Sequence, residues 1–493
     1  MAKKVLIIGT GMGGLATALR LATQGYQVEM VEKHHQAGGR LNQIKDQGFT
    51  FDVGPSFFSM SYEFEELFKS CGVANPLQFN KLDPLYAVWF AHRDKPYKVY
   101  TDLDKLAGEF ADIEPDFRRK VRGYLDQAKL LFHDTEYRIV KRNYSGLLDY
   151  GMALSRVPLR HAPLLLRSMW KELGRHFNSQ DVKVIFSLVA FFLGATPFDT
   201  PAVYSLLNYT ELEHDGYWNV QGGMYRIVEE MVRLLEAKGV QIRYNTEIVG
   251  MRATGDNIEG FVDKQGNIYR ADVYVCNGDA ASFRGQMLHR KKFTEEKLDA
   301  MDWTLAPFTL YLGVRGKIEG LHHHSYFLGS NFNEYASNIF KTSVAPEQPY
   351  YYVNVSSKSN PGSAPEGCEN LFVLCPVPDL RYKADWSDSQ ALADRIIADL
   401  SSRCGYDIKA NLITQTILNP VDWAKMFNLY KGSGLGLAHG LNQVGGLRPA
   451  NQDELFANLF YVGASTVPGT GLPITVISSK LATDKIAHAY PAA

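Results

Sequence analysis

Residues 5–41 read VLIIGTGMGGLATALRLATQGYQVEMVEKHHQAGGRL. Val5-Leu6-Ile7-Ile8 is a short apolar run of the kind that a buried parallel strand shows. Gly9, Gly11 and Gly14 follow in G-x-G-x-x-G spacing, and Leu15, Leu19 and Leu21 carry a helix-like pattern behind them. A second strand is expected over Gln27 to Val31, ending at Glu32. In such a βαβ unit the glycines allow the tight turn and close backbone approach, so that a pyrophosphate sits on the helix N-terminus. The acid at Glu32 would accept hydrogen bonds from an adenosine ribose and argues for a free 2′-hydroxyl, against NADP.

Five residues separate Glu32 from Gly38-Gly39-Arg40. Two glycines let the backbone pass close to a bulky ligand, and an arginine offers pyrophosphate oxygens a charged fork. An NAD dehydrogenase does not need this element. With it the chain resembles the FAD-dependent superfamily of amine oxidases, phytoene desaturases and Rab escort proteins. Gly48-Phe49 and Phe51-Asp52-Val53-Gly54-Pro55 resemble that superfamily's segment just beyond the arginine.

The chain has 493 residues, enough for two or three domain-sized units. With 52 basic and 53 acidic residues its net charge is −1, which gives no support for a nucleic-acid partner. Cys71, Cys276, Cys368, Cys375 and Cys404 are scattered without a C-x-x-C pair, so neither a disulfide framework nor a zinc site is expected. A strand expected within five residues of Met1 leaves no room for a signal peptide, and a cytoplasmic location is the default. Ile185 to Leu193 is strongly apolar but shorter than the roughly 20 residues of a membrane span, and is expected to be a buried helix. Arg156 to His176 mixes arginines and Lys171 with Leu164-Leu165-Leu166, Met169 and Trp170. It suits either a helix lying in a membrane interface, which would hold the protein peripherally on the cytoplasmic membrane, or an ordinary amphipathic surface helix.

The dinucleotide-binding half does not look contiguous. Gly222-Gly223 leads into a helix pattern from Tyr225 to Lys238 capped by Gly239, then a strand over Val240 to Tyr244. Ile258 to Phe261 and Asn267 to Ala271 flank a hairpin turn, and Asp272 to Asn277 is another strand. Near the C-terminus Leu459 to Val462 reads as a strand, Gly463-Ala464 as a close approach, and Thr470-Gly471-Leu472-Pro473 as a helix start. That helix N-terminus would face the flavin edge that gains negative charge on reduction.

This order again resembles the flavoprotein superfamily. It implies an α/β fold: a two-dinucleotide-binding Rossmann-like FAD domain of amine-oxidase and phytoene-desaturase type, with a discontinuous α+β substrate domain. The expected FAD segments are 1–79, 216–285 and 426–493, and the substrate segments 80–215 and 286–425. FAD contacts are then expected at Gly9, Gly11, Met12, Gly13, Gly14, Glu32, Lys33, Gly39, Arg40, Leu41, Ile248, Asn277, Gly463, Ala464, Gly471, Leu472 and Pro473. Ile248, against the adenine, rests on the resemblance alone.

Ser465 to Pro473 and Val275-Cys276-Asn277-Gly278-Asp279 resemble signatures of the bacterial-type carotenoid desaturases. Val467 stands where many relatives have a histidine, a departure that removes a polar contact near the cofactor. Overall similarity, strongest over the first 75 residues, leans to the 1-hydroxycarotenoid 3,4-desaturase branch. The resemblance implies a carotenoid substrate, a membrane surface, and a quinone or oxygen as electron acceptor.

The chemistry sets its own demands. A polyene hydrocarbon segment offers only C–H bonds beside a conjugated system; flavin N5 accepts hydride, and a neighbouring proton then leaves to a weak base. The protein must supply a long apolar tunnel, a dry flavin face and placement of one C–C bond. Phe57, Phe58, Phe186, Phe191, Phe192, Phe308, Tyr311 and Trp423 are available for the wall, though any one of them reads more readily as ordinary core. His322-His323-His324 lacks spaced acidic or cysteine partners for a metal and is expected in a surface loop. Asp134, Glu136 and Arg138 read as solvated helix charges rather than a proton acceptor, and no catalytic residue is assigned. The alternatives are phytoene desaturation, carotene isomerisation or retinol saturation within the family. A non-enzymatic prenyl-lipid carrier of the Rab escort type and a nicotinamide dehydrogenase are the rivals outside it.

Overall fold

The structure, a computed structural model, describes residues 2–279, 281–340 and 342–492, apart from the side chain of Phe192. Its first layer is a parallel sheet whose strands are β1 (Lys4–Ile8), β2 (Gln27–Val31), β3 (Gln241–Arg243), β4 (Val273–Cys276) and β5 (Leu459–Tyr461). They lie in the order β5-β4-β1-β2-β3. Ile8 pairs with both Val31 and Cys276, Val31 with Arg243, and Cys276 with Tyr461. All five strands therefore end in one row, with the order reversing at β1. Ligands bind at such a switch point, outside the carboxyl ends of the strands.

Both faces of this sheet are covered. Val5, Ile7, Met30, Val273, Val275 and Phe460 face a core shared with α1 (Met12–Thr23), α2 (Arg226–Ala237) and α3 (Leu472–Ala489). Leu6, Val31, Tyr274, Cys276, Leu459 and Tyr461 face the opposite core, where Ile258 and Phe261 pack from a three-stranded antiparallel sheet. Burial on both sides explains why β1 reads as an unbroken apolar run. Helix α1 is buried from Met12 to Leu21 and stops where Gly25 takes φ +91° and Tyr26 N–H reaches back to Leu21 O, a left-handed glycine cap.

The second layer is a seven-stranded sheet built from strands at 412–418, 306–315, 368–377, 351–354, 324–328, 86–90 and 97–99, in that spatial order. Strand Tyr86–Phe90, far upstream in the chain, pairs in parallel with His324–Leu328. Strand alternation divides its side chains. Phe308, Leu310, Leu312, Phe327, Val353 and Val373 pack beneath helix Ser389–Cys404. Tyr311, Tyr326, Leu328, Tyr352 and Phe372 face the other way, toward helices such as Phe117–Thr135 and Gln180–Ser187.

Three expectations change. Arg156 to His176 is not one helix: it breaks into Leu159–His161, Ala162–Leu166 and Met169–His176, because Pro158 is extended and Arg167 adopts φ −104°, ψ 148°. In the segment Ile185 to Leu193, Ile185 to Ala190 and Leu193 are buried as expected, but the helix is divided at Leu188 between Gln180–Ser187 and Val189–Phe192. The histidine triplet is only in part a loop: His322 and His323 lie in one, half-buried. His324 is fully buried at the start of a sheet strand, stacked on Phe57 at 4.0 Å. Among the described residues no group of three or more His, Cys, Asp or Glu is placed to hold a metal.

Candidate functional site

One cavity begins at the row of strand ends and runs between the two sheets, with about 580 Å³ open to the centre of a water molecule. Its first end is made of turns. Gly9 follows β1 with φ +93°, and Gly38 N–H donates to Thr10 O at 3.0 Å, laying the Gly38-Gly39 turn on the first one. A Cβ on Gly39 would stand 3.1 Å from Gly11 Cα, and one on Gly13 would stand 3.1 Å from the Gly463 backbone and 2.9 Å from Asn277 Oδ1. Three distant stretches of chain thus meet only because they lack side chains there. Asn277 supplies the central amide, its Nδ2 donating to Gly9 O at 3.5 Å.

Of the residues expected to touch the cofactor, Gly9, Gly11, Met12, Gly13, Glu32, Lys33, Gly39, Arg40, Leu41, Ile248, Asn277, Gly463, Ala464, Gly471, Leu472 and Pro473 all line this cavity. Gly14 does not. A Cβ there would lie 2.4 Å from Gly9 O, so Gly14 serves the packing of α1 against the turn after β1.

The polar groups at this end suit a dinucleotide. Glu32 is buried; its Oε2 accepts from Thr10 N–H at 2.9 Å and Thr10 Oγ1 at 2.7 Å, and its Oε1 accepts from His34 N–H at 3.0 Å. A carboxylate has about four lone-pair sites, so acceptor capacity is left for a ribose hydroxyl. Arg40 lines the wall, with Nη1 donating to Gly434 O at 2.8 Å. Asp279, pushed above the usual carboxylate range by burial, accepts from Ser465 Oγ at 3.0 Å and lies within Coulomb reach of Arg40. The N-terminal turns of α1 and α3 both open onto the cavity, offering backbone N–H groups to negative charge. Backbone without Cβ atoms, an arginine fork, a buried carboxylate and two helix starts fit FAD.

The C-terminal turn is held by residues with no local motif. Arg448, buried, donates to the carbonyls of Leu437, Ala438, Gln443, Ala464 and Thr466. Thr470 N–H donates to His439 Nε2 at 3.1 Å, and burial holds His439 neutral, far below the usual histidine range. Val467 packs with Met60, Ile477 and Leu481, so the histidine at this turn comes from another loop.

Beyond the turns the wall becomes aromatic. Phe57, Phe191 and Trp423 line it, with Tyr217, Tyr326, Tyr350, Tyr352 and Phe372. Phe58, Phe186, Phe308 and Tyr311 take the other reading, ordinary core: they are buried there and absent from the cavity wall. Phe192 falls outside the described side chains. Asp134 is no proton acceptor. Hydrogen bonds from His161 (2.8 Å) and Arg160 (2.5 Å) hold its carboxyl down at about 2. Glu136 is half-buried against Lys141 at 2.7 Å, so this group is an ion-pair network rather than a solvated helix face.

Residues 12–487 match the family described as flavin containing amine oxidoreductase. A zeta-carotene-forming phytoene desaturase of Myxococcus xanthus is 33% identical over 99% of this chain and 95% of its own length. A carotenoid 3,4-desaturase of Haloarcula japonica is 29% identical over 97% of this chain and 96% of its own. Cyclohexylamine oxidase from Brevibacterium oxydans shares the fold with a TM-score of 0.61 at 14% identity, over 99% of both chains. With the parallel sheet, the three converging turns and these likenesses together, the chain belongs to the flavin containing amine oxidoreductase family, among its carotenoid desaturases, and its cofactor is FAD.

Proposed function

We propose that the protein desaturates a carotenoid, and that the bond is C3–C4 of an end group hydroxylated at C1. It is an FAD-dependent oxidoreductase acting on CH–CH bonds. One observation carries the substrate reading: a single cavity joins the glycine turns to a long slot lined by aromatic and aliphatic side chains. FAD bound at the turns supplies a two-electron acceptor for hydride. The chain's part is to hold and exclude. Glu32 takes the ribose, Arg40 and the start of α1 the pyrophosphate, and the backbone at Ile248 the adenine. Gly463, Ala464 and the start of α3 take the flavin edge. Leu188, Phe191, Leu328 and Phe372 line the slot and keep water from the reacting carbons. The segments 80–215 and 286–425 form the substrate domain in this reading, supported by the strand pairing between Tyr86–Phe90 and His324–Leu328.

The polyene would enter from a membrane. Among the described residues no helix is long and apolar enough to cross one. Leu148, Leu159 and Leu166 are nevertheless 87%, 88% and 88% exposed, with Leu147 and Met152 beside them in sequence. Arg156 and Arg160, exposed in the same stretch, suit anionic headgroups. We read this as a peripheral docking surface on the cytoplasmic membrane, with a quinone or oxygen taking the electrons. Expression in hosts accumulating phytoene, lycopene or a 1-hydroxylated carotenoid tests the function. The expected result is a bathochromic product two hydrogens lighter only from the hydroxylated carotenoid. Conversion of phytoene or lycopene instead would move the reaction to another branch.

A further inference from the structure

A tunnel for a hydrocarbon needs no polar groups, yet one stretch of this wall carries several. Glu211, Tyr217, Tyr326, Tyr352 and Ser56 all line the cavity around Phe57. Glu211 lies on a single π-turn, Thr210–His214, of the kind common at functional sites, and is 2% exposed. Its carboxyl takes hydrogen bonds from Tyr86, Tyr217 and Asn208, the last at 3.2 Å. Tyr352 is engaged twice, with Ser56 Oγ at 2.9 Å and His324 Nδ1 at 2.6 Å.

Tyr326 differs. It is 7% exposed, wedged between Tyr86 (5.5 Å) and Tyr352 (5.3 Å), and its hydroxyl has no hydrogen-bond partner among the described residues. Buried phenols ordinarily find a partner, and the side chain that carries this one lines the cavity within electrostatic reach of Glu211. Burial raises the Glu211 carboxyl to about 7, so near neutrality it is present both as an acceptor and as a donor. A hydroxyl also does both. A hydrocarbon end would leave the Tyr326 hydroxyl unpaired, and a site built to bond a hydroxyl discriminates strongly against the analogue lacking it.

We propose that Tyr326 and Glu211 form a hydroxyl-recognition subsite for the oxygenated end of the polyene, with Tyr326 setting the specificity. This rests on the reading that the substrate is a hydroxylated carotenoid.

The test uses FAD-loaded full-length protein with vesicle-borne substrates: a 1-hydroxylated carotenoid and the hydrocarbon of the same length. The readouts are the ratio of kcat/KM for the two, and each dissociation constant from quenching of flavin fluorescence. Tyr326→Phe should lower the ratio about tenfold, mostly through KM and the dissociation constant of the hydroxylated substrate. A fall of less than threefold, or an equal loss on both substrates, overturns the proposal. Should Tyr326→Phe fail to load flavin, Glu211→Gln decides by the same threshold. A wild-type enzyme with no preference for the hydroxylated substrate defeats the functional reading itself. A wild-type preference that survives both substitutions defeats only this subsite.

Discussion

Arg448 shows how much one side chain organises here. Its guanidinium serves five carbonyls of the loops that shape the C-terminal turn. Arg448→Met should leave those acceptors unpaired, lower stability by at least about 3 kcal/mol in urea unfolding and release FAD. Retained flavin with an unchanged midpoint would refute that role. Gly13→Ala is milder in chemistry and equally specific. The new Cβ meets the Gly463 backbone at 3.1 Å, so the purified variant should bind FAD at least about tenfold more weakly, read by flavin absorbance after dialysis. Glu211 has a signature of its own. Burial raises its carboxyl to about 7, well above the roughly 4.3 of an unfolded chain. The folded protein therefore holds this proton more tightly. The resulting stabilisation is complete below about pH 4 and is lost as pH rises through 7. Glu211→Gln should remove that slope, so that the stability difference between the two proteins shifts by on the order of 3 kcal/mol between pH 4 and 8. Denaturant midpoints measured across that range check it; parallel profiles would show that Glu211 carries no such proton.

At the level of elements, the stretch from helix Leu147–Ser155 to helix Ala162–Leu166 carries the exposed apolar surface. Composition already marked the region around 156–176 as a membrane-contact candidate, but on the assumption of a continuous helix. The break at Pro158 and the extended Arg167 redistribute it over short pieces, and much of the apolar surface lies upstream, at Leu147, Leu148 and Met152. Burying a leucine side chain is worth about 1.5–3 kcal/mol. The double variant Leu148→Glu with Leu166→Glu should therefore cut co-sedimentation with anionic vesicles at least about tenfold while flavin content stays intact. Undiminished sedimentation would mean that the docking face lies elsewhere.

Across the whole molecule, the cofactor cavity draws on both ends and the middle of the chain. Asp52, upstream, accepts from Met224 N–H at 2.9 Å and Tyr225 N–H at 3.0 Å at the approach to α2, tying the first stretch to the second. A ligand bound across such joints stabilises the fold by mass action, about 4 kcal/mol at a thousandfold excess over its dissociation constant. Removing FAD should lower the melting midpoint by several degrees and quicken proteolysis, and adding FAD back should restore both. Identical melting curves with and without FAD would contradict this.

The βαβ turn, Glu32, the Gly-Gly-Arg element and the C-terminal helix start were legible in the linear chain. Each is a local conformational requirement: a tight turn, a close approach or a helix N-terminus needs particular residue types at fixed spacing. Which aromatics face the cavity was not legible. Phe186 and Phe308 looked as suitable as Phe57, because an aromatic ring gains the same burial in a core as on a tunnel wall. Tyr326, Glu211, His439 and Arg448 carry no spacing signal, since irregular loops and a π-turn, not a repeating pattern, set the groups around Glu211, His439 and Arg448, and the neighbours of Tyr326 come from other strands. Strand alternation tells which side chains share a face. Only the packing of one sheet against the other decides what lies opposite that face, and hence whether a buried tyrosine meets another ring or an open slot.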